Sequence, residues 1–128
     1  MSIAVEMSEL ASVMARYRYA YLMTTAIKGA PHAVAVVPTL EGGELVVASV
    51  GRRTREYATA HPEVGFVWPP ASPSEYSLIV DGRAVVAGAG LRITPTRAVL
   101  HRPVEPGQPV AAGACGADCV EVNLSPGG

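Results

Sequence analysis

The stretch GELVVASVGRRTREYATAHPEVGFVW (residues 43–68) decides how the rest of the chain is read. An apolar run rich in Val reaches Gly51 and gives way to Arg52, Arg53, Thr54 and Arg55. A brief helix is expected over 53–60. Pro62 ends it, because the residue before a proline is pushed out of the α region. EVGFVW (63–68) then reads as a strand. The basic and hydroxyl residues therefore sit at a helix start, where free N–H groups and a partial positive charge hold anions. Guanidinium groups bind phosphate through paired donors. The stretch reads as a phosphate clamp or, more plainly, as a solvated basic turn between two core strands.

Outward from it, the spacing points to an antiparallel β protein. Residues 6–18 place Met7, Leu10, Ala11, Met14 and Tyr17 at helical spacing. YAYLMTTAI (19–27) and HAVAVVPTL (32–40) read as strands about a Lys28-Gly29-Ala30-Pro31 turn. ELVVASV (44–50) follows a Gly-rich hairpin turn, so the first half reads as a helix and a three-stranded meander. YSLIVDG (76–82) and RAVVAGAGLRIT (83–94) read as two strands separated at Asp81-Gly82, with Gly88 and Gly90 marking a bend in the second. Thr94-Pro95 reads as a helix start for TRAVLHR. Residues 103–116 read as a loop, and CVEVNL (119–124) as a last strand. The expected fold is mainly β (α+β), an antiparallel barrel or sandwich with a few short helices. It forms one domain over 1–128.

Composition narrows the function. The chain has 128 residues, 49% apolar and 16% charged, enough for a core and too few charges for a disordered chain. A net charge of −1 gives no global field to draw in nucleic acid or an anionic membrane. No apolar run is long enough to span a bilayer, and the first residues lack a signal-peptide pattern, so a cytoplasmic location is expected. Cys115 and Cys119 are then expected as reduced thiols, and with only His101 nearby they do not make a metal site. Runs such as 33–37 and 45–48 are apolar on both faces, which calls for cover on the second face and predicts a homodimer.

Catalytic sets are missing from the sequence. It has no G-x-S-x-G elbow, no Walker A and no G-x-G-x-x-G after a strand. His32, His61 and His101 each read as structural groups first. A phosphate site with few acids or bases suits a protein whose cofactor carries the chemistry.

The order of motifs resembles the pyridoxamine 5′-phosphate oxidase-like split β-barrel flavoproteins, including the branch that uses the deazaflavin F420. Tyr19-Ala20-Tyr21-Leu22-Met23-Thr24 matches the opening strand, and Gly29-Ala30-Pro31-His32 the G-x-P-H element. The basic segment 51–60 precedes His61-Pro62-Glu63-Val64, and Asp81-Gly82-Arg83-Ala84 matches the later turn. The likeness covers about residues 15–100. It implies an antiparallel split β-barrel and a dimer with a cofactor groove between subunits. It implies FMN as cofactor, with F420 as the alternative, and hydride transfer to or from a small molecule. By position, Ser49, Arg52, Arg53 and Thr54 would hold the phosphate, Arg55 would add charge, and Val34, Ala35 and Val36 would contact the ring. The family usually places Lys at Thr54 and Asn at Tyr57, so Thr54 keeps a hydroxyl but loses a charge. Two alternatives stand beside this reading. One is a barrel that lost its cofactor and serves as a binding module. The other is a haem-handling barrel with His32 or His101 as ligand.

Overall fold

Alternation with a period of two builds most of this molecule, a computed structural model in which residues 2–103 and 117–118 are described. The strands are β1 (Ile3–Ala4), β2 (Ala20–Thr25), β3 (Pro31–Val36), β4 (Thr39–Glu41), β5 (Glu44–Val47), β6 (Glu63–Trp68), β7 (Ser77–Ala87), β8 (Gly90–Pro103) and β9 (Ala117–Asp118). Two helices interrupt them, α1 (Leu10–Met14) and α2 (Arg52–Ala60). All pairings are antiparallel, in the order β3-β2-β6-β7-β8-β5-β4, and β1 and β9 also pair with β8. The sheet curls without closing, which is the expected split barrel.

The inner face carries the core. Leu22, Phe66, Val80 and Ala98 lie in one cross-strand row and are all fully buried. Leu45, Leu78, Leu91, Ile93 and Leu10 fill the same interior. Each such side chain contributes roughly 1.5–3 kcal/mol by leaving water. Tyr21 and Met23, one residue off this row, point outward and remain 41% and 36% exposed. On β3, Val34 and Val36 are half-buried against the core while Pro31, Ala33 and Ala35 are exposed, so one face of the strand lies open among the described residues.

Several expectations are corrected. Helix 6–18 is a short 3₁₀ turn (Met7–Glu9) followed by α1, after which i→i+3 bonds from Arg16 to Val13 and from Tyr17 to Met14 tighten the chain. Val13, not Ala11, completes the buried stripe. The expected strand 32–40 becomes two elements, β3 and β4, on either side of Val37-Pro38. The three-stranded meander does not form: β5 leaves β3 and pairs with β4 and β8. Asp81-Gly82 does not separate two strands, since β7 runs through it with a register irregularity. Thr94-Pro95 starts no helix but lies inside β8, with Pro95 opposite Gly82 where the register shifts. A proline is tolerated at such a site because the regular ladder bond is already lost. The expected strand 119–124 lies outside the described residues, as does most of 103–116.

The tight turn falls instead at Gly88-Ala89, where Gly88 takes φ +59°. Gly90 then lets the β5 backbone close in, since a Cβ there would run into the Val47 carbonyl oxygen. Gly90→Ala should therefore lose about 3 kcal/mol of stability in urea denaturation, the upper range for overpacking. A change under about 0.5 kcal/mol, the level of a neutral surface substitution, would show that β5 does not cross so closely.

Candidate functional site

The chain between β5 and α2 turns outward at Ala48-Ser49, and Ser49 is exposed. Gly51 is the N-cap in an extended conformation, and no side chain caps the helix. The Arg55 N–H reaches the Gly51 carbonyl at 3.2 Å, which leaves the earlier N–H groups of Arg52, Arg53 and Thr54 without an intrahelical acceptor. A bare helix start of this kind presents N–H donors and a positive dipole end outward.

The three arginines are not equivalent. Arg52 pairs with Glu56 one turn on, 3.6 Å away and largely in water. Arg55 donates to the carbonyl oxygens of Val50 and, at 3.1 Å, Ala89. The Ala89 oxygen also accepts the Val50 N–H at 2.9 Å. Arg55 thus ties the helix to the β7–β8 turn and to the end of the β5 connection. Arg53 is exposed and has neither a hydrogen bond nor an ion pair among the described residues. Of the basic cluster, its guanidinium is the one left for an external anion.

Thr54 is 3% exposed and faces inward with Ala58. The side chain is thus turned toward the barrel, and its backbone N–H is one of the donors free at the helix start. The other end of α2 is fixed as well. The His61 N–H donates to the Tyr57 carbonyl at 2.8 Å, and His61 Nε2 lies 3.4 Å from the Ile27 carbonyl oxygen, a contact that needs the Nε2–H tautomer.

Helix and edge strand meet at one point. The Tyr57 ring packs edge-on against His32 of β3, with centroids 5.2 Å apart, and His32 Nδ1 lies 3.4 Å from Thr24 Oγ1. Arg53 and Tyr57 are four residues apart and share a helix face. The face bearing Arg53 is thus continued by Tyr57 and His32 to β3, where Val34 is half-buried two residues along the strand. Among the described residues β3 pairs only with β2, and its other edge offers backbone N–H and C=O groups that no described strand takes up. Ala35 faces outward between the half-buried Val34 and Val36. From the sequence, Arg53 and Val34 are both expected at the cofactor. The Tyr57–His32 contact that joins their elements went unseen, although the i,i+4 spacing of Arg53 and Tyr57 carried the signal. Among the described residues no cluster of three His, Cys, Asp or Glu side chains could hold a metal ion. Likewise, no helix among them is long and apolar enough to cross a membrane.

The chain is 40% identical to uncharacterized proteins of Mycobacterium bovis and Mycobacterium tuberculosis, over 91% of its own length and 93% of theirs. No protein-family model matches it. Among solved structures it resembles a Listeria innocua protein assigned as a pyridoxamine 5′-phosphate oxidase, with TM-score 0.61 and 13% identity over 73% of this chain and 96% of that one. It resembles a FAD-binding protein of Mesorhizobium loti at TM-score 0.61, 16% identical over 77% of this chain and 94% of the other. An F420 reductase matches at TM-score 0.56, 18% identical over 68% and 93% of the two chains. At these identities the likeness is one of fold.

The arginines should separate by stability. Arg55→Ala should cost about 1.5–3 kcal/mol, the scale of charge-assisted hydrogen bonds. Arg53→Ala should stay within about 0.5 kcal/mol, as a surface substitution does. Thermal or urea unfolding of the two variants checks this, and equal losses would contradict the division of roles.

Proposed function

The chain belongs to one family with the two mycobacterial proteins and carries the fold of the pyridoxamine 5′-phosphate oxidase-like split barrels, and from that premise we propose that it binds FMN, with F420 as the alternative, as a redox cofactor. The observation that carries the reading is the unpaired Arg53 guanidinium beside the uncapped start of α2. These groups fit a phosphate: N–H groups of the first turn supply directed donors, and Arg53 supplies a paired donor and charge. Arg52 adds a second guanidinium once it releases the exposed Glu56, an exchange that costs little because such i,i+4 pairs are worth about 0.3–0.5 kcal/mol. Ser49 adds a hydroxyl next to the helix start.

Val34, Ala35 and Val36 present the free edge of β3 to the ring, with backbone groups for its polar rim and apolar side chains for its face. Bound there, the cofactor supplies hydride transfer, to or from a small molecule. The protein's own part is to hold the phosphate, orient the ring and keep water from it, which needs no protein nucleophile. The acidic tail of F420 calls for several cations along its path. Of the arginines on α2 only Arg53 lacks a partner among the described residues, and with a net charge of −1 this favours FMN.

The exposed outer face of β2, with Tyr21 and Met23, supports a homodimer in which a second copy covers this face and completes the groove. The reading includes a cytoplasmic setting, which would keep Cys115 and Cys119 as thiols.

Titration with FMN and with F420, followed by ring absorbance and fluorescence, tests the reading. Wild type should bind one of them, and Arg53→Ala should bind it about 1.5–3 kcal/mol more weakly, the loss expected for a charged hydrogen-bond pair. No binding of either cofactor would refute the cofactor reading in favour of a binding module. A Soret band in the purified protein would turn it to haem. Equal binding by the variant would remove the clamp.

A further inference from the structure

A concave site lies away from α2, between the segment that leads into β2 and the loop from β6 to β7. It is an open groove of about 690 Å³, within the size range of small-molecule sites. Tyr17, Tyr19 and Tyr76 form its walls with Pro69 and Pro70. This is an unusual concentration in a chain with five Tyr.

The walls are held in place. The Tyr17 hydroxyl donates to the Tyr76 carbonyl oxygen at 2.9 Å, across 59 residues of sequence, and so joins the two sides. On Tyr76, the Arg102 guanidinium stacks 4.8 Å from the ring centroid. Burial raises the pKa of the Tyr17 hydroxyl above its ordinary value, with Arg16 opposing and Glu75 adding to the shift. Pre-positioned flat rings and prolines favour a flat apolar ligand.

The rim sets the charge. Arg16 and Arg18 line the groove and have no ion pair among the described residues, and Glu75 is the one acid among the lining groups. Two unpaired guanidiniums on an aromatic-walled groove suit a planar carboxylate, which they can meet with paired donors. We propose that this groove is a binding site for planar aromatic carboxylates, separate from the phosphate clamp on α2. It shares no residue with that clamp, so it stands whether or not a flavin binds.

The chain's sole tryptophan gives a direct reporter. Trp68 precedes Pro69 and is 2% exposed, and it lines a smaller adjoining pocket that shares Tyr17, Arg18 and Tyr19 with the groove. The full-length protein is titrated with 2-naphthoate while Trp68 fluorescence is followed, and binding is checked by calorimetry. Saturable binding is expected, and the neutral 2-naphthalenemethanol should bind about tenfold more weakly or worse, as loss of a charge-assisted contact requires. Arg16→Glu/Arg18→Glu changes only exposed side chains and should weaken 2-naphthoate by at least about tenfold. Tyr76→Ala should weaken both ligands, and Arg53→Ala should bind 2-naphthoate as wild type does. The proposal is overturned if no saturable binding is found up to millimolar ligand, or if the charge-reversed variant binds as tightly as wild type. It is also overturned if Arg53→Ala removes the binding, which would place the ligand at the start of α2.

Discussion

The long β7–β8 hairpin is the constraint on which the rest of the structure depends. Its two strands pair at eleven positions and carry Leu78, Val80, Leu91, Ile93, Ala98 and Leu100 into the core. Such a ladder closes only if backbones can approach, and two glycines permit it. At Gly82 a Cβ would sit 2.7 Å from the Thr94 carbonyl oxygen, and at Gly90 it would enter the β5 backbone. The hairpin turn then presents the Ala89 carbonyl to the Val50 N–H and the Arg55 guanidinium. Through that one oxygen the hairpin fixes where β5 ends and where α2 begins.

That fixing divides the labour among the basic residues. Arg55 is consumed by backbone acceptors, Thr54 by the barrel contact, and Arg52 by a neighbour on its own helix. What remains outward is Arg53 and a first helical turn whose N–H groups lack acceptors. Anchoring α2 at its start through Arg55 and at its end through His61 also holds these donors rigidly. A rigid donor set binds an anion without a fresh ordering cost, which is the general advantage of preorganisation.

Much of this was legible in the chain, and the failures have physical reasons. The short strands around 43–68 were readable because apolar β-branched runs ended at Gly, Pro or charged residues. The bounds of α2 and β6 differ from expectation by at most one residue. The second half misled because Asp81-Gly82 and Thr94-Pro95 carry turn and cap chemistry locally. Tertiary pairing overrode both, with a proline set against a register shift and a glycine chosen for close approach rather than for a turn. The pairing of β5 with β8 could not be read either, since pairing across more than forty residues leaves no local mark. At the candidate site, sequence located the arginines but not their partners. A carbonyl acceptor has no residue signature, so nothing in the chain separated Arg55 from Arg53. The groove of Tyr17, Tyr19 and Tyr76 was equally hidden, because it is assembled from segments more than fifty residues apart.

The central claim is that α2 anchors the cofactor through its phosphate. The most direct measurement compares the affinity of the protein for FMN with that for riboflavin, which has the same ring without the phosphate. FMN should bind at least about tenfold more tightly, since one charge-assisted phosphate contact is worth that much or more. Equal affinity for the two, or tighter binding of riboflavin, would contradict it.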